Sequence, residues 1–360
     1  MLYIRVVICL KKMFISRRRI PAEWEAQECV QLTWPHCGTD WRDILDRATD
    51  CFVEIARVIA ERERLLIVTP EKNIVMQRLF RAAVNIDNIT FFECQTNDTW
   101  ARDHAFITSV EDNGDYVLND FGFNGWGMKY DSTFDNIINS CLFKANMFKT
   151  SHYRDLNHLI LEGGSIESDG KGTVLTTSSC LLAKNRNDFL SVEQARNVLA
   201  PLLGAENFLC LENGAIMGDD TDGHIDTLAR LSPEDTIIYV KCDDIHDEHY
   251  AGLSAMEKEL SELRTVHGGP FRLIPLPLPA AIFHNGERLP ATYANYLVIN
   301  GAVIVPMYGQ TDMDSKAIEI LGNVFPGREI IGVDCLPLIM QRGSLHCVTM
   351  QYAKGVGLLV

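Results

Sequence analysis

The stretch Tyr296-Leu297-Val298-Ile299-Asn300-Gly301-Ala302-Val303-Ile304-Val305-Pro306, continued by Asp314–Val324, decides the fold class. Two apolar, β-branched runs flank Asn300-Gly301, the dipeptide that most strongly predicts a two-residue type I′ hairpin. The helical pattern of Asp314–Val324 then closes on Pro326-Gly327. A strand pair followed by a helix differs from the βαβ alternation of a doubly wound sheet and predicts a mixed α/β chain. The same punctuation runs outward. Residues 48–65 set Phe52, Ile55, Ala56 and Ile59 on one helical stripe, and Leu65–Val68 reads as a buried strand ending at Pro70. Residues 72–84 read as a second helix. Ser191 opens a third, with Gln194 at the capping-box position and Gly204 as the stop. Thr236–Val240 is a strand and Leu253–Val266 a helix. No sequence repeat is obvious, and no Pro/Gly/Ser-rich linker divides the chain. Length alone suggests about two domains at roughly 150 residues each.

Composition narrows the function. With 47% hydrophobic and 22% charged residues, disorder, collagen and coiled coil are excluded. Lys+Arg total 33 against 48 Asp+Glu, a net charge of −15. Nucleic acid and anionic membranes reward clustered Lys/Arg, so neither is the expected partner. A small cationic substrate is compatible with this balance. The 11 cysteines are odd in number, widely spaced and never in a CxxC, against both a disulfide scaffold and a four-cysteine zinc site. A reducing cytoplasm fits them. Met1–Leu10 is apolar but lacks the charge order of a secretory signal, so residues 1–19 read as an extension. No stretch approaches the roughly 18 apolar residues of a spanning helix.

The phosphate motifs GxxxxGK[ST] and GxGxxG are absent, as is HExxH. Four short polar segments remain. Asp219-Asp220-Thr221-Asp222-Gly223-His224-Ile225-Asp226 gathers carboxylates that would repel one another without a cation or proton among them. Read as strand, His224 and Asp226 share a face; a solvated acidic turn is the alternative, and an EF-hand loop fits poorly. In Asn97-Asp98-Thr99-Trp100-Ala101-Arg102-Asp103, Trp100 offers a π face and Asp103 a carboxylate to one planar cation. In Leu161-Glu162-Gly163-Gly164-Ser165, paired glycines let backbone approach a ligand beside Glu162. Gly343-Ser344-Leu345-His346-Cys347-Val348-Thr349 sets a thiol among small polar residues, as a nucleophile or a buried inert cysteine. Cys37, Cys94, Cys180 and Cys242 read as structural. A thiolate, an imidazole and carboxylates around an aromatic ring suit attack on a guanidinium carbon, with His protonating the departing nitrogen. A zinc hydrolase using His224, His346 and Cys347 is a further reading.

These segments, together with Pro21-Ala22-Glu23-Trp24-Glu25, Thr33-Trp34-Pro35-His36 and Asp120-Phe121-Gly122-Phe123-Asn124-Gly125-Trp126-Gly127, resemble the agmatine deiminase / bacterial-type peptidylarginine deiminase family of guanidino-group-modifying enzymes. The resemblance runs from about Ile20 to Gln351. It implies one domain over 20–360, a fivefold pseudosymmetric α/β propeller (pentein) of ββαβ units, and hydrolysis needing no metal or cofactor. It also implies Cys347 as nucleophile, His224 as general acid/base, and Asp103 and Asp226 as guanidinium-binding carboxylates. Trp100, Asp98, Glu162, Gly163 and Gly164 would complete the substrate site. The family's habits imply a homodimer, and agmatine as substrate would yield N-carbamoylputrescine and ammonia. One departure concerns the loop before the nucleophile. Gln341-Arg342-Gly343-Ser344 stands where the family often has Gly-Gly-Gly-Asn. An Arg342 facing the substrate tail would favour arginine or a peptide carboxylate, whereas an Arg342 facing solvent would leave agmatine favoured. A non-catalytic binding protein on the same fold is the reading from another class.

Overall fold

The computed structural model describes residues 18–150 and 152–359; the expected extension therefore lies mostly outside the described residues. Arg18 and Arg19, assigned to that extension by sequence, pair antiparallel with Glu111 and Val110.

Among the described residues, five sheets share one order: an antiparallel strand pair, a helix, and a third strand parallel to the second. The stretch quoted above is one such unit. Leu297–Ile299 pairs antiparallel with Ala302–Met307, Thr311–Val324 forms the helix, and Glu329–Asp334 returns parallel to Ala302–Met307. A second unit contains Ile107–Glu111, Tyr116–Gly122, the helix Ile138–Lys144 and Tyr153–Ile160. A third contains Glu167–Ser168, Thr173–Thr177, the helix Val192–Leu203 and Asn207–Leu211. Ala229–Ser232, Thr236–Lys241, the helix Tyr250–Glu262 and Arg272–Pro277 make a fourth. The fifth joins the two ends of the chain: Thr349–Ala353 pairs antiparallel with Gln27–Thr33, the helix Leu45–Ala60 follows, and Arg64–Thr69 lies parallel. A repeat that residue identities hide is thus present as topology.

Local signals explain the elements. Phe52, Ile55, Ala56 and Ile59 are all fully buried, as one apolar stripe demands. The Ser191 side chain accepts from the Gln194 backbone N–H, and Gly204 ends that helix with φ of 67°. The reciprocal bond of the capping box goes one residue early, to the Leu190 N–H. Two expectations shift. The predicted Leu253–Val266 helix runs Tyr250–Glu262, because Leu253, Met256 and Leu260 carry the buried stripe and Leu263 is already extended. The two-residue turn at Asn300-Gly301 exists, but only Gly301 is left-handed (φ 76°), the sign pattern of type II rather than I′. Its cause is tertiary. Asn300 is clamped by its side chain, which accepts from the Gln27 N–H and donates to the Gln27 carbonyl and to Glu63. No helix among the described residues is long and apolar enough to cross a membrane.

Candidate active site

The first strand of each unit is entered through one tight turn, and four of those five turns carry or adjoin polar residues singled out by sequence. Ala101–His104 precedes Ile107–Glu111, Gly163–Ser165 precedes Glu167–Ser168, Ile225–Thr227 precedes Ala229–Ser232, and Tyr293–Asn295 precedes Leu297–Ile299. Cys347 sits two residues before Thr349–Ala353. Successive turns pack on one another. The Asn295 carbonyl accepts from the His346 N–H at 3.2 Å, and the Cys347 carbonyl from the Arg102 N–H at 3.2 Å. Three of these turns line one cleft, through Asp103, Asp226 and Cys347, with Asp98, Trp100 and His224 beside them.

His224 and Asp226 reach this cleft by a different route from the predicted one. His224 caps a 3-10 turn and is not in a strand, so the two side chains meet through the turn and not through pleat alternation. The imidazole is buried between two carboxylates: Nδ1 lies 3.6 Å from Asp103 Oδ1, and Nε2 lies 3.6 Å from Glu162 Oε2. Burial alone would lower its pKa, but Asp103, Cys180 and Glu162 outweigh burial and raise it well above the ordinary imidazole value. His224 is therefore an imidazolium able to donate.

Asp103 has burial as the main influence, which pushes its carboxyl up to about 6. It still accepts from the Gly164 N–H at 3.0 Å and from Trp126 Nε1 at 2.9 Å. Asp226 is fully buried, yet the His346 Nδ1–H at 2.8 Å holds its carboxyl below the usual range. Its second oxygen, Oδ1, has no hydrogen-bond partner, and neither does His224 Nε2. Gly164 is required here by closeness: a Cβ would lie 2.7 Å from His224 Nδ1 and 2.9 Å from Asp103 Oδ1.

The acidic segment resolves into separate partnerships. Asp219 accepts from the Thr221 hydroxyl at 2.6 Å and the Gly223 N–H at 2.9 Å, shaping its own loop. Asp220 accepts from the Tyr130 hydroxyl at 2.7 Å. Asp222 accepts from Arg186 Nη1 at 2.6 Å and Lys129 Nζ at 2.9 Å. Of this segment's carboxylates only Asp226 turns to Cys347, with Oδ2 at 3.8 Å from Sγ. Asp98 faces the cleft but is held by Trp41 Nε1 at 2.9 Å and Trp100 Nε1 at 3.0 Å, so it orients the aromatic wall. Trp100 meets Trp126 edge-on at 6.4 Å. Arg342 lines the cleft mouth, half-exposed, with Nη2 at 2.7 Å from Glu287 Oε2. Its charge is thus paired rather than presented.

Sequence reading missed several residues. Arg186 donates Nε to both Glu162 oxygens at 2.9 and 3.0 Å, from a loop with no motif. Cys180, read as structural, is buried 3.8 Å from Glu162 Oε2 and adds to the electrostatics of His224. Asn295 contacts Cys347 Sγ at 3.3 Å. His346 and Glu23, quoted in the motifs without this role, form with Arg230 a buried chain behind Asp226: His346 Nε2 is 2.7 Å from Glu23 Oε2, and Arg230 Nη2 is 2.8 Å from the same oxygen. Two buried triads, Glu162/Cys180/His224 and Glu23/Glu167/His346, have a metal-like spacing. A guanidinium already stands in each: Arg186 on Glu162, and Arg230 on both Glu23 and Glu167. The zinc reading fails on geometry, since both His346 nitrogens are bonded to Asp226 and Glu23 and do not share a centre with His224.

Three relatives frame this site. A Porphyromonas gingivalis structure named "Putative Arginine Deiminase" is 48% identical, with TM-score 0.89, covering 94% of this chain and 99% of that one. A C. jejuni agmatine deiminase, solved as a cysteine-to-serine variant with substrate bound, is 40% identical with TM-score 0.86, covering 95% and 97%. A Marinomonas sp. (strain MWYL1) protein named "Putative agmatine deiminase" is 33% identical over 351 residues, 92% of this chain and 94% of its own length. The sequence profile of the Porphyromonas-type peptidyl-arginine deiminases matches residues 19–353, so the chain belongs to that family.

Proposed function

We propose that the protein is an agmatine deiminase, a hydrolase of the guanidino C–N bond yielding N-carbamoylputrescine and ammonia. Residues 20–360 form a single domain, the five ββαβ units closing as a fivefold propeller around the cleft. The observation that carries the substrate choice is charge at the mouth. Asp40, Asp219 and Asp220 line it, and the one arginine there among the described residues, Arg342, is bonded to Glu287. A dication with an ammonium tail suits such a mouth, and an α-carboxylate does not. The named C. jejuni relative supports the same choice. An arginine-type substrate is the second reading, favoured by the name of the P. gingivalis relative; it requires Arg342 to leave Glu287.

The chemistry follows from charge balance. Burial first, then Asp226 and Asp103, push the Cys347 thiol up, so the resting enzyme carries S–H. Arrival of a guanidinium between Asp103 and Asp226 exchanges one cation for the thiol proton, which leaves to water. The thiolate pair then forms a C–S bond to the guanidinium carbon, and the C=N pair moves to nitrogen. The His224 imidazolium gives its proton to one –NH₂, ammonia departs, and a cationic thiouronium remains on Cys347. Neutral His224 next takes a proton from water as its oxygen attacks; the C–S pair then returns to sulfur and the hydroxyl proton of the adduct passes to it, which releases the ureido product and restores S–H beside an imidazolium. Glu162, fixed by Arg186, keeps His224 in place throughout.

Purified enzyme offered agmatine, free arginine and a blocked arginine peptide should turn over agmatine with kcat/KM about 100-fold above free arginine, the cost of a carboxylate among carboxylates, and also above the blocked peptide, which brings no ammonium to the mouth. Preference for either arginine compound overturns the assignment. A second expectation concerns Asp103. Its carboxyl, raised by burial to about 6, is charged above that pH and neutral below it. Agmatine affinity of a Cys347→Ala variant should therefore be flat from pH 8 to 6.5, then fall by up to about tenfold per pH unit. A calorimetric titration that stays flat to pH 5 removes Asp103 from guanidinium binding.

A further inference from the structure

We propose that Asn295 is a catalytic residue whose side-chain amide accepts from the Cys347 thiol and donates to its thiolate. Asn295 is completely buried, in the turn Tyr293–Asn295. The orientation of its amide is fixed by backbone partners. Oδ1 accepts from the His346 N–H at 2.9 Å and the Cys347 N–H at 3.4 Å, so that atom must be oxygen. Nδ2 faces the Asp226 carbonyl at 3.3 Å, so that atom must be nitrogen. Cys347 Sγ lies across both ends of the group, 3.3 Å from Nδ2 and 3.4 Å from Oδ1.

The NH₂ group has two hydrogens and two acceptors, the Asp226 carbonyl and the sulfur. In the resting state the S–H can point to Oδ1. When the proton leaves to water on substrate arrival, the sulfur lone pairs accept from Nδ2–H without any movement of Asn295. Such help is needed, because burial and the two carboxylates oppose ionisation of the sulfur, and the Ser344 backbone acts beside Asn295 in the other direction. A hydrogen bond to an ionised partner is about twice as strong as a neutral one. The same amide ties the nucleophile's turn to the turn that carries Asp226, so thiolate and guanidinium-binding carboxylate keep one spacing. The inference rests on Cys347 as nucleophile, but its test needs no substrate.

Iodoacetamide alkylation of Cys347, read peptide by peptide because Cys37 is exposed, tracks the thiolate fraction at pH 8. In Asn295→Ala the rate should fall about 10- to 100-fold, as loss of one charge-assisted hydrogen bond implies. The kcat should fall by a similar factor with KM within about threefold, since the lost bond is to the reacting sulfur and not to substrate. Asn295→Asp keeps an oxygen for the two backbone amides while removing the donor, and should slow alkylation at least as much. Wild-type alkylation in either folded variant overturns the proposal. Failure of both variants to fold also overturns it, by reducing Asn295 to a structural clamp. Turnover by Cys347→Ala would instead fail the functional reading and leave the alkylation result standing.

Discussion

Cys347→Ala should abolish ammonia release from agmatine, lowering kcat by at least about 10⁴-fold, while the fold survives. The size of the loss follows from the division of labour at the site: the remaining groups can bind and polarise the guanidinium but cannot form the C–S bond. Removal of the nucleophile of a serine protease costs about 10⁶ in kcat. Stability should change by only about 1 kcal/mol, since one small buried side chain is shortened and an opposed titration is removed. A second thiol makes the experiment decisive. Cys180 touches the same Glu162 and influences the same His224, on the far side of the imidazole from Asp103. Cys180→Ala should therefore retain most activity, with a loss of no more than about tenfold. If Cys180→Ala were the dead variant and Cys347→Ala kept activity within tenfold of wild type, the nucleophile would be Cys180, and the roles of the two faces of His224 would reverse.

Why Cys347 was legible in the sequence and Cys180 was not is a matter of how the turns are built. Glu162-Gly163-Gly164, His224-Ile225-Asp226 and His346-Cys347 each compress a charged or nucleophilic group and its backbone requirement into adjacent residues. The segment 97–103 does the same for Trp100 and Asp103. Such clusters stand out because nothing in a core needs them. Asn295, in the equivalent turn, lies one residue before the hairpin that set the fold class, and Tyr293-Ala294-Asn295 carries no charge to mark it. Its function exists only through contacts with His346 and Cys347, some 50 positions away. Arg186 and Cys180 likewise act through tertiary contacts, from a loop and from the one-turn helix Ser178–Leu181. The repeat was hidden for a related reason. First strands range from the two residues Glu167–Ser168 to the five of Ile107–Glu111, and one unit is assembled from opposite ends of the chain. What the units share is hydrogen-bond topology and the turn before the first strand, which residue identity does not encode.

The largest stability effect should come from behind the cleft, at Arg230. Its guanidinium is 1% exposed and bonds Glu167, Glu23, the carbonyls of Ala294 and Tyr296, and the ring of His346. It also lies over the Tyr296 ring at 4.6 Å. Arg230→Met keeps much of the volume and leaves two buried carboxylates without their main cation, a loss of roughly 3–5 kcal/mol. The pH dependence gives the signature. In the wild type, burial opposes the charge on Glu23, but Arg230 and then His346 overcome it and hold the carboxyl far below its usual range. A depressed carboxyl contributes stability that is present above its unfolded pKa and lost as pH falls through its folded value. Without Arg230 the same burial raises Glu23 and Glu167, so the variant is least penalised when they are protonated and more penalised as pH rises past their unfolded values. The stability gap between wild type and variant should therefore widen from pH 5 to pH 8 in denaturant melts. A gap below 1 kcal/mol, or one that narrows over that range, would mean that Glu23 and Glu167 find other cations, and Arg102, 3.8 Å from Glu23 Oε2, is the one placed to serve. The substitution should also reach the chemistry, because His346 then loses a neighbour on one side while its other nitrogen holds Asp226. Activity measured on the fraction still folded should fall through weaker agmatine binding, with KM rising before kcat declines, as the proposed roles of Asp226 in binding the cation and Cys347 in attack require.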